Sequence, residues 1–112
     1  MQDLHRRQPG ALVGTYAYRP TILESAIGHE QSLEMEVKDS TGQDLSVMIS
    51  VDNLPMEGTL HQNAMNDFVG VLPYRGGTCE VNAKLSVARP LGYRFTLFGV
   101  DCIRGNVLHR TR

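Results

Sequence analysis

The stretch Thr59-Leu-His-Gln-Asn-Ala-Met-Asn-Asp-Phe-Val-Gly-Val-Leu72 decides how this chain is read. At 100° per residue, Leu60, Ala64, Met65, Phe68, Val71 and Leu72 fall within one arc of about 140°, and Gln62, Asn63, Asn66 and Asp67 take the other side. Thr59 with Gln62 matches a capping box, and Pro73 supplies a stop. The spacing predicts a helix over 59–72. Gly70 marks the other possibility, in which Phe-Val-Gly-Val-Leu is a short strand.

Outward from this stretch the pattern changes to period two. On its N-terminal side Leu33, Met35 and Val37 alternate with Glu34, Glu36 and Lys38, and after Asp-Ser-Thr-Gly-Gln the alternation resumes at Leu45, Val47, Ile49 and Val51. Two alternating runs around a turn cluster predict a half-buried hairpin. Pairing Val37 with Leu45 would set Lys38 against Asp44 at the loop mouth. On the C-terminal side Cys79, Val81, Ala83, Leu85 and Val87 alternate with polar residues. Tyr93, Phe95, Leu97, Gly99 and Ile103 then share one parity. Matching the apolar faces pairs Val87 with Tyr93, Leu85 with Phe95 and Ala83 with Leu97. In that register Cys79 and Cys102 point to opposite faces of the sheet, and both are expected to stay reduced.

The expected fold class is therefore α+β: an antiparallel sheet of about five strands, in two hairpins, with one packed helix between them. A small closed β-barrel is the alternative. Residues 1–10, polar and ending in Pro-Gly, are expected as a flexible arm, and 11–112 as one domain. A strand is expected near 11–18, and Ile22, Leu23, Ala26 and Ile27 lie at helical spacing.

Composition bounds the function. The chain has 112 residues, 41% hydrophobic and 21% charged, with a formal net charge of −1. That balance suits one folded core, and no apolar run reaches the ~18 residues of a membrane helix. Two cysteines and no signal-like apolar start lead to a cytoplasmic expectation. The small net charge hides a bipolar chain. Between Pro20 and Pro73 nine acids face one base, Lys38, a charge of −8, whereas 74–112 carries +5. Such asymmetry bears on association.

Motifs of chemistry are sparse. The four histidines and two cysteines show no metal-ligand spacing, so no metal or cofactor is expected. Tyr74-Arg-Gly-Gly-Thr78 lacks the form of a phosphate-binding loop. His61 falls inside the apolar arc of the expected helix. Asp101 sits at an apolar strand parity, as does Tyr93. These three are the ligand-pocket candidates, for a pocket between helix and sheet. Phe98, Val100 and Met48 would be apolar and uncovered on the opposite face, and are the interface candidates. Tyr16, Tyr18 and Arg19, with Arg94 and Phe98, offer a short aromatic–basic pattern for single-stranded nucleic acid, opposed by the acidic middle. Asp44-Leu45-Ser46 followed by Leu54-Pro55 and Gly58-Thr59 resembles part of the PilZ domains, cyclic-dinucleotide-binding barrels. The match departs at Ile49, where a glycine belongs, and at the adjacent Arg6-Arg7, so no site residue carries over. The functional expectation is a small cytoplasmic, non-catalytic binding module that forms a homodimer. Its alternatives are a small-molecule-binding protein or enzyme and a single-stranded nucleic-acid binder.

Overall fold

A computed structural model of the chain describes residues 12–20, 31–63, 67–87 and 92–111. Eight strands follow in chain order: β1 Gly14–Tyr18, β2 Leu33–Thr41, β3 Asp44–Val51, β4 Leu54–Gln62, β5 Asp67–Tyr74, β6 Gly77–Val87, β7 Tyr93–Gly99 and β8 Ile103–Arg110. Each is hydrogen-bonded antiparallel to its neighbours in sequence, and β1 meets β8 to close a barrel. Among the described residues there is no helix, so the α+β expectation is wrong and its barrel alternative is the fold. The arm at 1–10 and the helical spacing at 22–27 lie outside the described residues.

The stretch 59–72 is the end of β4, a connector and most of β5. Its helical spacing has a specific cause. The inward positions of β4 are Met56, Gly58, Leu60 and Gln62; those of β5 are Phe68, Gly70, Leu72 and Tyr74. Gly58, Gln62 and Gly70 interrupt the inward apolar series, so Met56 and Leu60, like Phe68 and Leu72, recur at intervals of four and imitate a helix face. The glycines are needed there. A Cβ at Gly58 would lie 2.5 Å from Leu72 Cδ2, and one at Gly70 would lie 2.6 Å from the Thr59 carbonyl oxygen. Without side chains at these two positions β4 and β5 approach closely and Leu72 occupies the space over Gly58.

Both expected hairpins exist, with one register corrected. Val37 pairs with Val47, not Leu45, and Met35 with Ile49. The turn is the tight Gly42-Gln43 pair, with φ +61° at Gly42, and a bulge at Lys38 absorbs the extra residue. A slip of two residues keeps the apolar face inward, which is why the face was readable and the pairing was not. Lys38 consequently meets Glu57 of β4, and Asp44 meets His61. Between β3 and β4, Asp52 and Asn53 have φ of 50° and 71°, the two left-handed residues of a type I′ turn.

The β6–β7 register is the one the apolar match selects: Val87 with Tyr93, Leu85 with Phe95, Ala83 with Leu97. The cysteine expectation nevertheless fails. The chain does not continue straight to Ile103; the Cys102 N–H donates to the Gly99 carbonyl at 3.2 Å, and Asp101 takes φ +61° as the second central residue of a tight turn. That turn carries Cys102 back over β6, where it is bridged to Cys79 with a Cα separation of 6.0 Å. Gly99 makes the bridge possible, since a Cβ there would be 2.7 Å from one sulfur and 2.8 Å from the other.

Alternate side chains from every strand fill the interior, as the width of an eight-stranded barrel allows. Tyr16 from β1 packs edge-on against Phe95 from β7, ring centroids 4.8 Å apart, and Phe95 meets Phe68 from β5 at 6.3 Å. These three rings are fully buried and span the barrel from wall to wall. Aliphatic layers from Leu33, Met35, Leu45, Ile49, Leu97 and Leu108 close around them.

Two outcomes test this architecture. Gly70→Ala should lower stability by about 1–3 kcal/mol, because the methyl group meets backbone it cannot displace; in a helix the same change would raise stability by about 1 kcal/mol. Denaturant unfolding distinguishes the signs. Thiol titration of the denatured, non-reduced chain should find no free cysteine. Reduction should then cost about 3 kcal/mol, from the 23-residue separation of the bridge.

Candidate functional site

The topology fixes which residues can act together. One rim of the barrel carries the β2–β3, β4–β5 and β6–β7 connections; the other carries the β3–β4, β5–β6 and β7–β8 turns. His61, at the end of β4, and Tyr93, at the start of β7, belong to the first rim but lie three strands apart. Asp101 belongs to the second rim. The three pocket candidates are therefore not brought together, and the helix that was to roof their pocket is a pair of strands.

Each has a local explanation. His61 is exposed, and its Nδ1 lies 2.7 Å from Asp44 Oδ1 on the neighbouring strand. A solvated cross-strand pair of this kind contributes at most about 1 kcal/mol. Tyr93 is half-buried and packs on the core. Asp101 holds the left-handed position of the β7–β8 turn, on an open depression that Gln31 and Arg104 share with Phe98 and Ile103. Gln31 ties that turn down: its Nε2 donates to the Cys102 carbonyl at 2.9 Å and its Oε1 accepts from the Arg104 N–H at 2.7 Å. Sequence reasoning missed Gln31, which carries no motif. Among the described residues no three histidine, cysteine or acidic side chains gather as metal ligands.

The interface candidates divide. Phe98 and Val100 are on β7 and its turn, 49% and 51% exposed. Met48 is on β3, four strands away on the opposite wall, half-buried between Glu36 and Glu57. Phe98 and Val100 instead join Val69 and Val71 of β5 across the outward face of β6. They line a groove of about 430 Å³, floored by Asn82, Glu80 and the backbone of Gly70 and Val81. Val71 is 60% exposed. Cross-strand pairing arranges this wall in rows: Val69–Asn82–Phe98, then Asp67–Lys84–Thr96 to one side. On the other side Val71 faces Glu80, whose carbonyl accepts from the Val100 N–H at 3.2 Å. At the groove's end Asn82 Nδ2 donates to Asp67 Oδ2 at 3.4 Å, and Asp67 Oδ1 is buried with no hydrogen-bond partner. Sequence reasoning missed Val69 and Val71 because it placed them on a helix; their alternation with Phe68, Gly70 and Leu72 was the available signal.

Charge is also sorted by wall. Glu34, Glu36, Asp39, Asp44 and Glu57 decorate β2–β4, whereas Arg94, Arg104, His109 and Arg110 lie on β7 and β8, across the barrel from β3 and β4 and separated from β2 by β1. The β1 aromatics do not form a stacking platform: Tyr16 is inside the barrel and Tyr18 is half-buried against the core. Arg110 reaches over the Tyr16 ring, its guanidinium 5.8 Å from the centroid, and donates to the Val13 carbonyl at 2.7 Å.

Burial raises the Tyr16 phenol above its usual value of 10.0; the nearby Arg110 charge works against this, and Tyr93 adds to it. The buried hydroxyl donates to the Leu12 carbonyl at 2.8 Å. Below pH 10 both folded and unfolded chains keep this proton. Above it the unfolded chain releases the proton first, so stability falls until the higher folded pKa is passed. Tyr16→Phe should flatten that part of the alkaline decline, while costing about 1 kcal/mol at neutral pH for the lost hydrogen bond. Urea unfolding between pH 8 and pH 11 checks both effects.

No family model, no curated protein and no solved structure matches this chain.

Proposed function

We propose that the protein is a non-catalytic binding module that works through the outer wall β5–β7 and associates there with a second copy of itself. One observation carries this reading. Edge-packed rings occupy the middle of the barrel, whereas three of the most exposed large apolar side chains, Val71, Phe98 and Val100, converge on a single external groove. Apolar side chains clustered around a concavity on an otherwise polar surface mark an interaction site. The wall supplies the apolar centre of an interface, and the surrounding polar residues supply the rim of the roughly 800 Å² per partner that a standard interface covers.

The Cys79–Cys102 bridge bears on location. Bridges of this kind persist in oxidising compartments, which weighs against the cytoplasmic expectation. Thiol trapping in intact cells decides between the two.

Light scattering at high micromolar concentration should give a species of twice the 12.4 kDa chain mass. Phe98→Ser should make it monomeric with an unchanged β-type circular dichroism spectrum, while Met48→Ser, on the opposite wall, leaves the dimer intact. A wild-type monomer at that concentration would refute self-association.

A further inference from the structure

Resting on that reading, we infer the register of the dimer: two β5–β7 walls pack face to face with their β6 strands antiparallel, on a two-fold axis that crosses β6 at Asn82. Glu80, Asn82 and Lys84 are successive outward positions of β6, with opposite charges on either side of a neutral amide. Among the described residues neither Glu80 nor Lys84 takes part in an ion pair within the chain. Both charges stand on the wall that carries the groove, and Glu80 lines it.

Symmetry restricts how such a wall meets its copy. A two-fold axis relating two facing walls lies in the plane between them. If the axis runs along the strands, Glu80 falls on Glu80 and Lys84 on Lys84, an unfavourable like-charge arrangement. If it runs across the strands, strand direction inverts. Centred on Asn82, that axis places Glu80 of each copy on Lys84 of the other. Centred one outward position away, at Glu80, it stacks the two carboxylates on each other. Only the Asn82 centre pairs both charges, twice over.

The same operation lays the Asn82 row on its own copy and places Val71 opposite Asp67 and Val100 opposite Thr96. Direction across the strands is preserved, so β5 lies over β5 and β7 over β7. The row Val69–Asn82–Phe98 then lies on its own copy, bringing Phe98 against Phe98 and Val69 against Val69. Packed sheets are about 10 Å apart and cross at about 30°. Extended Glu and Lys side chains span that gap from the two sides. Asn82, a short side chain at the centre of the row, leaves room for the flanking phenylalanines to meet.

Charge reversal tests the register. At low salt, E80K and K84E should each weaken the homodimer about tenfold or more, since each creates two like-charge pairs. The double variant E80K/K84E should return to within about threefold of wild type, because the reversed pairs are again complementary. A mixture of the two single variants should form a heterodimer of near wild-type affinity, which also shows that each single variant is folded. Sedimentation velocity on the four proteins and the mixture reads all of this. A wild-type dimer that the single reversals leave unchanged, or that neither the double variant nor the mixture restores, overturns the register and leaves self-association standing. A wild-type monomer overturns both.

Discussion

Closure of the sheet between β1 and β8 is the constraint on which the rest of this molecule depends. An open eight-stranded sheet would expose two edges of unpaired backbone and one broad apolar face. Here β1 takes both roles at once, pairing with β2 along Gly14–Tyr18 and with β8 at Tyr16–Arg110 and Ala17–His109. The seam is short, and other groups lengthen it. The Thr111 N–H donates to the Thr15 carbonyl at 2.7 Å, and the Arg110 guanidinium reaches the Val13 carbonyl. Tyr16 adds the packing contribution, since the residue that pairs across the seam also drives its ring against Phe95. Closure joins segments nearly the whole chain apart, so it carries the largest loop-closure entropy in the fold. The connections between adjacent strands are mostly short and their pairing is local; the seam is the most non-local pairing of the barrel.

The barrel is closed and its interior is filled. The rings of Tyr16, Phe95 and Phe68 occupy the volume that a ligand would need, and the inward glycines at 58 and 70 serve strand approach. What varies around the circumference is the outer wall. β2–β4 present carboxylates, β7–β8 present arginines, and β5–β7 present the apolar groove. Because neighbouring strands of a barrel point outward in different directions, each wall faces its own side, and polarity along the chain becomes polarity in space.

Particular residues show how much of this was legible. The alternation at Leu33–Val37, Leu45–Val51, Cys79–Val87 and Tyr93–Gly99 identified strands and their inward faces, since side chains in a strand point to opposite faces in turn. Apolar matching also selected the β6–β7 register. It misplaced the β2–β3 register by two residues, because every even slip keeps the same face inward and the bulge at Lys38 has no composition of its own. The stretch 59–72 misled because Gly58, Gly70 and Gln62 vacate inward positions and leave a four-residue apolar interval. The candidate site fared unevenly for the same reason: Phe98 and Val100 were found on a recognised strand, whereas Val69 and Val71 were hidden in the supposed helix. His61, Asp101 and Tyr93 were grouped by a pocket that required that helix.

The sequence by itself determined which residues are buried on most strands, where several turns fall, and that the chain carries unlike charges in different segments. These are local properties, set by side-chain polarity at a period of two and by the backbone preference of turn residues such as Gly42. Only the tertiary structure decided that the sheet closes, that Cys102 returns to Cys79, and that Val69, Val71, Phe98 and Val100 share one groove. Each of these depends on the angle at which strands distant in sequence meet. That angle follows from close approach at positions such as Gly70 and Gly99, where the informative feature is an absent side chain and alternation has nothing to register.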